Sequence, residues 1–271
     1  MTDPRTLGVL TDLAQEGDWL ESLVVDLPDE GWRRATPADG WDVATTIAHL
    51  AWTDEVAVLA AGAAAGEEGK SAWDAVVLEA IGDPEGFVDA QALEGGRATP
   101  ADLLARWRHA RQELARVLSD VPAGTKMPWF GPPMSPTSMA TARYMETWAH
   151  AFDVADALGV TVEPHDRVRH VVHLGVRTRD FAYANRGETP PGEEFAVVLQ
   201  APSGDTWAYG PEDAAQRVTG SAWDFARLVT QRAHREDLDV RAEGPDADHW
   251  LDIAQAFAGP SGEGRSPGAS A

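Results

Sequence analysis

Leu7, Leu10, Leu13, Leu20, Leu23 and Val24 recur mostly at steps of three and four, the spacing that lines one face of a helix. They predict an amphipathic helix at the start of the chain. Asp42 is placed to cap a second helix running through Ile47, Leu50 and Val58 to the Ala/Gly stretch around Gly62. A shorter helical piece is predicted over 71–81, and the Gly- and acid-rich run from Gly82 to Gly96 reads as a loop. Thr99-Pro100 opens the next helix, with Thr99 as N-cap and Pro100 at the first helical position, continuing through Leu103, Leu104, Trp107, Leu114 and Leu118. Between Met127 and Ser138, four prolines in twelve residues hold the chain out of helix. Ser138 is then positioned to cap a long helix ending at Gly159. Four main helices with a long crossover predict a bundle.

The texture changes near residue 160. One more helix is predicted over 165–185, then a turn cluster over 186–192 and a β-rich run from Phe195 to Gln200. Pro202-Ser-Gly-Asp205 supplies a hairpin turn before a strand over 206–209. Further strands are expected at 215–218 and 238–242, with helices over 221–233 and 246–258. This is an α+β two-domain pattern: a helical bundle over 1–160, a small α+β domain over 161–259, and a Gly/Ser/Pro-rich tail over 260–271 expected to be disordered. The longest apolar stretch, Val56 to Ala65, is about ten residues of mostly alanine and too short to span a bilayer. The N-terminus has no basic region followed by an apolar core, so a cytoplasmic protein is expected. No heptad or long exposed edge is evident, so a monomer is expected.

Charge narrows the partners. The chain carries 44 Asp and Glu against 22 Lys and Arg, a formal net charge of −22. Such a field repels a phosphate backbone and an anionic lipid surface, which excludes nucleic acid and membrane as general partners and leaves small molecules. There is no cysteine. Disulfides, thiolate metal sites and a cysteine nucleophile are therefore excluded, and any thiol chemistry needs a thiol from outside.

Glu146 and His150 lie four apart on the last predicted bundle helix, and Asp153 follows three later, so all three share a face. Met139, Ala142 and Ala149 surround this strip with small or apolar groups. His49 sits in the apolar string Ile47-Ala-His-Leu-Ala-Trp52 on the second helix. Two imidazoles and a carboxylate projecting into one core suit a first-row divalent metal with positions left open. Each feature alone has an ordinary alternative: a hydrogen-bonded core histidine, or a surface i,i+4 pair. His109, His165, His170, His173, His234 and His249 have no carboxylates at ligand spacing or look exposed, and Asp54 and Glu55 read as helix-surface carboxylates.

The stretch Trp41-Asp-Val-Ala-Thr-Thr-Ile-Ala-His49-Leu resembles the second-helix signature of the DinB-like metal-binding bundles. Arg143-Tyr-Met-Glu-Thr-Trp-Ala-His150-Ala-Phe-Asp153 is similar to the fourth-helix signature of one branch, the mycothiol-dependent maleylpyruvate isomerase family. That resemblance implies a DinB-like four-helix bundle followed by a sterol-carrier-like α+β domain. It also implies that His49, Glu146 and His150 bind a divalent metal, zinc in the family, and that mycothiol is the thiol co-substrate. Asp153 is then a partner orienting His150, or a fourth ligand. Arg143, one turn before Glu146, either faces the cavity and binds a carboxylate or lies on the helix surface. Leu228-Val-Thr-Gln-Arg232 resembles a family segment usually reading Thr-Gly-Arg, whose arginine is implicated in activity; here Gln231 replaces the glycine. Trp52, Trp129 and Phe130 either line the pocket or belong to the core.

In the isomerase the thiolate adds to a conjugated double bond, rotation follows, and elimination gives the trans product; related transferases use the same nucleophile for displacement. The leading expectation is therefore a metal- and mycothiol-dependent isomerase or S-transferase acting on an electrophilic small molecule. A metal-dependent, thiol-independent hydrolase, isomerase or cyclase is a second reading. A non-catalytic module binding metal or an apolar ligand is a third.

Overall fold

The computed structural model describes residues 3–84, 86–262 and 264–268. The chain divides into two compact units, 1–160 and 161–271.

The first unit is helical: α1 (Pro4–Val24), α2 (Asp29–Trp32), α3 (Val43–Ala65), α4 (Glu67–Gly82), α5 (Phe87–Gly95), α6 (Pro100–Asp120) and α7 (Pro136–Leu158). α3 is its centre, packing against α4, α5, α6 and α7, while α1 packs on α7 and α6. The sequence of α3 explains this position, because alanine, valine and leucine surround the helix and leave no polar face for water. Leu20, Ile47, Leu50, Leu103, Trp107 and Val154 fill the core around it. α6 is the contrasting case: Leu103, Leu104, Trp107, Leu114 and Leu118 are buried, while its arginines reach back across neighbouring helices. Arg106 grips Glu55 with two bonds (2.7 and 2.6 Å), and Arg108 and Arg111 both pair with Glu21.

Helix starts follow the local capping chemistry. Asp42 Oδ1 accepts from the Thr45 backbone N–H (2.7 Å), and Thr99 caps α6 with Pro100 in the first turn. α7 begins one turn earlier than expected. Ser135, not Ser138, is the cap, its Oγ accepting from Ser138 N–H at 3.1 Å. Pro136 is the reason: proline is compatible with the first helical turn, so the last proline of the 127–138 segment starts the helix. Gly159 ends α7 in the left-handed region (φ 69°). The expected loop over 82–96 is corrected to a helix, α5. Phe87 and Ala92 are buried there and α5 packs on α3, so tertiary burial outweighs the local glycine content.

The second unit contains a 3₁₀ turn (Asp166–Val168), α8 (Arg169–Arg177), α9 (Arg179–Asn185), β1 (Ala196–Gln200), β2 (Thr206–Tyr209), β3 (Arg217–Ser221), α10 (Ala222–Val229), a 3₁₀ turn (Arg235–Asp237), β4 (Val240–Glu243) and α11 (Pro245–Ile253). The sheet order is β2-β1-β3-β4, with β1 antiparallel to β2, parallel to β3, and β3 antiparallel to β4. The single helix expected over 165–185 is broken at Thr178. Its hydroxyl bonds the carbonyls of Leu174, Gly175 and Gln255, competing with helix continuation. The final helix stops at Ile253 rather than 258, where Ala254 turns extended and Ala256 N–H donates to the Val229 carbonyl (2.7 Å). Residues 260–262 and 264–268 form no helix or strand, and Gly268 N–H donates to Asp237 at 2.8 Å. The rest of the tail expected to be disordered (263 and 269–271) lies outside the described residues. Among the described residues no helix is long and apolar enough to cross a membrane.

Candidate metal centre

His49 lies two turns into α3 and is buried. Across from it, α7 presents Glu146 and His150 on adjacent turns. Glu146 Oε2 lies 3.5 Å from the Nε2 of each histidine, and one donor atom from each of the three residues falls within 4.8 Å of the others. The imidazoles meet edge-on, 4.8 Å between centroids. His150 is oriented from behind, its Nδ1 lying 3.1 Å from Asp153 Oδ2, which leaves Nε2 directed at Glu146. Among the described residues this is the group of His, Asp and Glu donors close enough to hold an ion.

Burial, opposed by the Glu146 carboxylate and reinforced by the charges of His150 and Arg143, lowers the His49 pKa to about 4. Burial acts to raise Glu146, but the two imidazoles 3.5 Å away and the Arg143 charge outweigh it and hold the carboxyl well below the usual range. At neutral pH His49 is therefore a free base and Glu146 an anion, the states a metal ligand needs. Neither ring nitrogen of His49 makes a hydrogen bond among the described residues. Leaving a buried polar group unsatisfied costs about 1–3 kcal/mol, so this imidazole is unusual for a core residue. A divalent cation would satisfy it. Two imidazole nitrogens and a carboxylate oxygen fit zinc and leave coordination positions open.

The depressed His49 pKa fixes a pH dependence for the metal-free protein. Between pH 6.5 and about 4 the unfolded chain binds a proton at this histidine that the folded chain refuses, so stability falls as pH falls through that window. The stability at stake over that window is on the order of 3 kcal/mol. Urea unfolding of metal-free protein at stepped pH is expected to show this loss, and His49→Leu should flatten it. An equally steep profile in the variant would assign the loss to other groups.

Residue chemistry alone does not mark Trp41 as a site residue, yet its ring lies 5.1 Å from His49 and stacks on His150 at 5.6 Å with an 18° interplanar angle. It immediately precedes the α3 cap, and its backbone is pinned by Trp41 N–H to Ala38 O (3.0 Å) and Thr36 N–H to Trp41 O (2.9 Å). The sequence signal for it is its place at the head of the second-helix signature. Trp41 also lines an open groove of about 710 Å³ with Arg33, Thr45, Leu93 and Arg97.

Arg143 faces inward and is buried, with Nε donating to Asp54 Oδ1 (2.9 Å) and Nη2 to Thr53 Oγ1 (2.6 Å). Asp54 is thus not the surface carboxylate expected from its sequence neighbours; it is 3% exposed. The cause is the central position of α3, which is covered by α7 on the side that carries Asp54. Glu55 lies at the rim, held by Arg106. Trp52 and Trp129 join one aromatic chain: Trp52 meets Phe87 (5.2 Å), Phe87 meets Phe130 (6.3 Å), and Trp129 contacts Phe130 (5.3 Å) and Trp73 (6.0 Å).

Arg232 belongs to the second unit, where its Nη1 donates to the Thr230 carbonyl (2.6 Å). The end of α10 shows why a glycine would suit position 231. Gln231 N–H donates to Leu228 O (2.9 Å) and Arg232 N–H to Arg227 O (2.8 Å), a Schellman closure that requires a left-handed residue between helix and exit. Gln231 occupies that position at φ 59°, the one non-glycine residue with positive φ among those described. An L-residue there costs about 1–2 kcal/mol. Gln231→Gly is therefore expected to raise unfolding stability by about 1 kcal/mol in denaturant titration. A loss of stability would mean that the glutamine side chain contributes more than its backbone costs.

A family model described as "Mycothiol maleylpyruvate isomerase N-terminal domain" matches residues 13–155, more than half of the chain. The chain belongs to the mycothiol maleylpyruvate isomerase family. Two sequences from strains of Mycobacterium tuberculosis, both described as uncharacterized proteins, are 53% identical over 265 residues, covering 98% of this chain and 100% of theirs. Crystal structures of the mycothiol-dependent maleylpyruvate isomerase and of a histidine-to-alanine mutant of it match with a TM-score of 0.59 at 16% identity, covering 89% of this chain and 95% of theirs. At that identity the likeness is one of fold: a helical N-terminal region followed by a small mixed sheet with helices. Members of the mycothiol maleylpyruvate isomerase family are expected to pair those two parts, and this chain does.

Proposed function

We propose that this protein is a divalent-metal enzyme of the family, zinc being the preferred ion, that uses mycothiol to isomerise, or to transfer the thiol to, an electrophilic small molecule. His49, Glu146 and His150 are the proposed ligands. The observation that carries the reading is the buried His49 imidazole, which lacks any hydrogen bond among the described residues and faces an ionised carboxylate and a second imidazole. A divalent cation there would lower the pKa of an approaching thiol, so that mycothiol reacts as a thiolate near neutral pH. The absence of cysteine fits a nucleophile supplied from outside.

The chain's own groups have separate tasks in this reading. Glu146 keeps its charge and partly neutralises the cation. Asp153 holds the His150 tautomer. Trp41 covers one side of both imidazoles and keeps water from them. Arg143 supplies positive potential to the ligand set while bonded to Asp54. It serves the reaction through that field rather than as an open carboxylate clamp. Arg232 is proposed to act on the substrate, by its resemblance to the family arginine. Trp52 and Trp129 are proposed to wall the thiol's pocket through their shared aromatic chain. The substrate then carries an electron-poor double bond or leaving group, and a carboxylate on it would need these cations to overcome the −22 overall field. Turnover of such electrophiles with and without mycothiol tests the proposal. Activity is expected only with the thiol, and undiminished activity without it would overturn the thiol-dependent reading.

A further inference from the structure

One turn beyond the ligand set, α3 and α7 are joined by a polar contact with no direct part in holding an ion. Arg143 precedes Glu146 by one turn on α7, and Thr53 follows His49 by one turn on α3. Arg143 Nη2 donates to Thr53 Oγ1 (2.6 Å), and that hydroxyl donates to the His49 carbonyl (2.7 Å), with Leu50 O a longer second acceptor (3.2 Å). Arg143 Nε donates to Asp54 on the same turn (2.9 Å). Arg143, Thr53 and Asp54 are 2%, 7% and 3% exposed. The guanidinium is thus engaged by two adjacent residues of α3, one of which bonds the backbone of a proposed ligand.

We infer that Arg143 and Thr53 are positioning residues: the guanidinium–hydroxyl–carbonyl relay fixes the axial register and rotation of α7 against α3, and so the distance from His49 to Glu146 and His150. This rests on the metal reading proposed above. Apolar side chains could hold the two helices together without the desolvation cost of a buried charge. What they would not supply is direction. A planar guanidinium bonded through two of its nitrogens admits one alignment, whereas packed methyl groups admit sliding. Metal donors need placement within about 0.5 Å, which is the tolerance such a brace serves. The relay also explains the spacing of the two signatures, because in antiparallel helices a contact between Thr53 and Arg143 and one between His49 and Glu146 fall one turn apart on both.

Thr53→Val keeps the side-chain shape and removes the hydroxyl, Thr53→Ser keeps the hydroxyl, and Thr141→Val is the control. Thr141 is a buried α7 residue whose hydroxyl makes the same kind of back-bond, to the Thr137 carbonyl at 2.8 Å. Cobalt(II) titration of metal-stripped full-length protein reads affinity and the visible ligand-field spectrum, with urea unfolding alongside. Thr53→Val is expected to weaken cobalt binding about 10- to 100-fold and to change the spectrum. Thr53→Ser should restore both, and Thr141→Val should leave both unchanged at a similar loss of stability. Wild-type affinity and spectrum in Thr53→Val would overturn the inference, as would equal weakening in Thr141→Val. A wild type that binds no cobalt would overturn the metal reading itself and the inference with it.

Discussion

His49→Ala is expected to abolish bound metal and to lower thiol-dependent turnover by on the order of 10³-fold, since a metal's charge stabilisation is worth several kcal/mol and each 1.4 kcal/mol is tenfold in rate. The other half of the prediction is structural. A buried histidine in a network would be costly to remove, but neither ring nitrogen of His49 has a hydrogen bond among the described residues. Truncation loses packing and removes an unsatisfied polar group, two effects of similar size and opposite sign. The metal-free variant should therefore unfold within about 1 kcal/mol of metal-free wild type. Against metal-loaded wild type it should fall short by the linkage energy of the bound ion, which grows with free metal concentration. Metal analysis, turnover and denaturant unfolding on the same samples separate the two halves. A variant that keeps its metal would remove His49 from the ligand set. A metal-free variant much less stable than metal-free wild type would make His49 a packing residue first.

Asp54→Ala is expected to destabilise the fold by about 3–5 kcal/mol, because it leaves the Arg143 guanidinium buried without its carboxylate. That is a large share of the 5–15 kcal/mol typical of a domain, and it should appear as a shifted urea midpoint. A surface carboxylate would cost less than about 0.5 kcal/mol, so the size of the effect distinguishes the buried pair from the helix-surface position. Replacing both partners, Asp54→Leu with Arg143→Met, should recover most of the loss, since a well-packed apolar pair can match a buried ion pair. The recovered fold should still bind metal more weakly than wild type, because the relay to the His49 carbonyl is gone. A near-neutral Asp54→Ala would contradict the brace.

Much of this architecture is legible from local chemistry. Asp42, Thr99-Pro100 and Gly159 mark helix ends because capping depends on a few adjacent residues. The i,i+4 spacing of Glu146 and His150 places them on one face whatever surrounds the helix. What eludes sequence reading depends on long-range packing. Asp54 and Glu55 are neighbours of the same charge, yet one is buried against Arg143 and the other lies at the rim beside Arg106. Only the packing partner each side of α3 meets, α7 for Asp54 and α6 for Glu55, separates them. Trp41 reaches both imidazoles from outside α3, across a backbone reversal that no periodicity encodes. α5 forms because Phe87 has a core to enter, and Ser135 supersedes Ser138 because Pro136 suits a helix start. Gln231 is the converse case, where the left-handed geometry shows why a glycine would suit the position.

The most direct measurement is the binding of mycothiol to metal-loaded and metal-stripped protein by titration calorimetry at neutral pH. The account predicts tight binding with proton release when the metal is present, as the thiol ionises, and a loss of both when the metal is removed or His49 is replaced by alanine. Equal affinity without the metal, with no proton released, would contradict it.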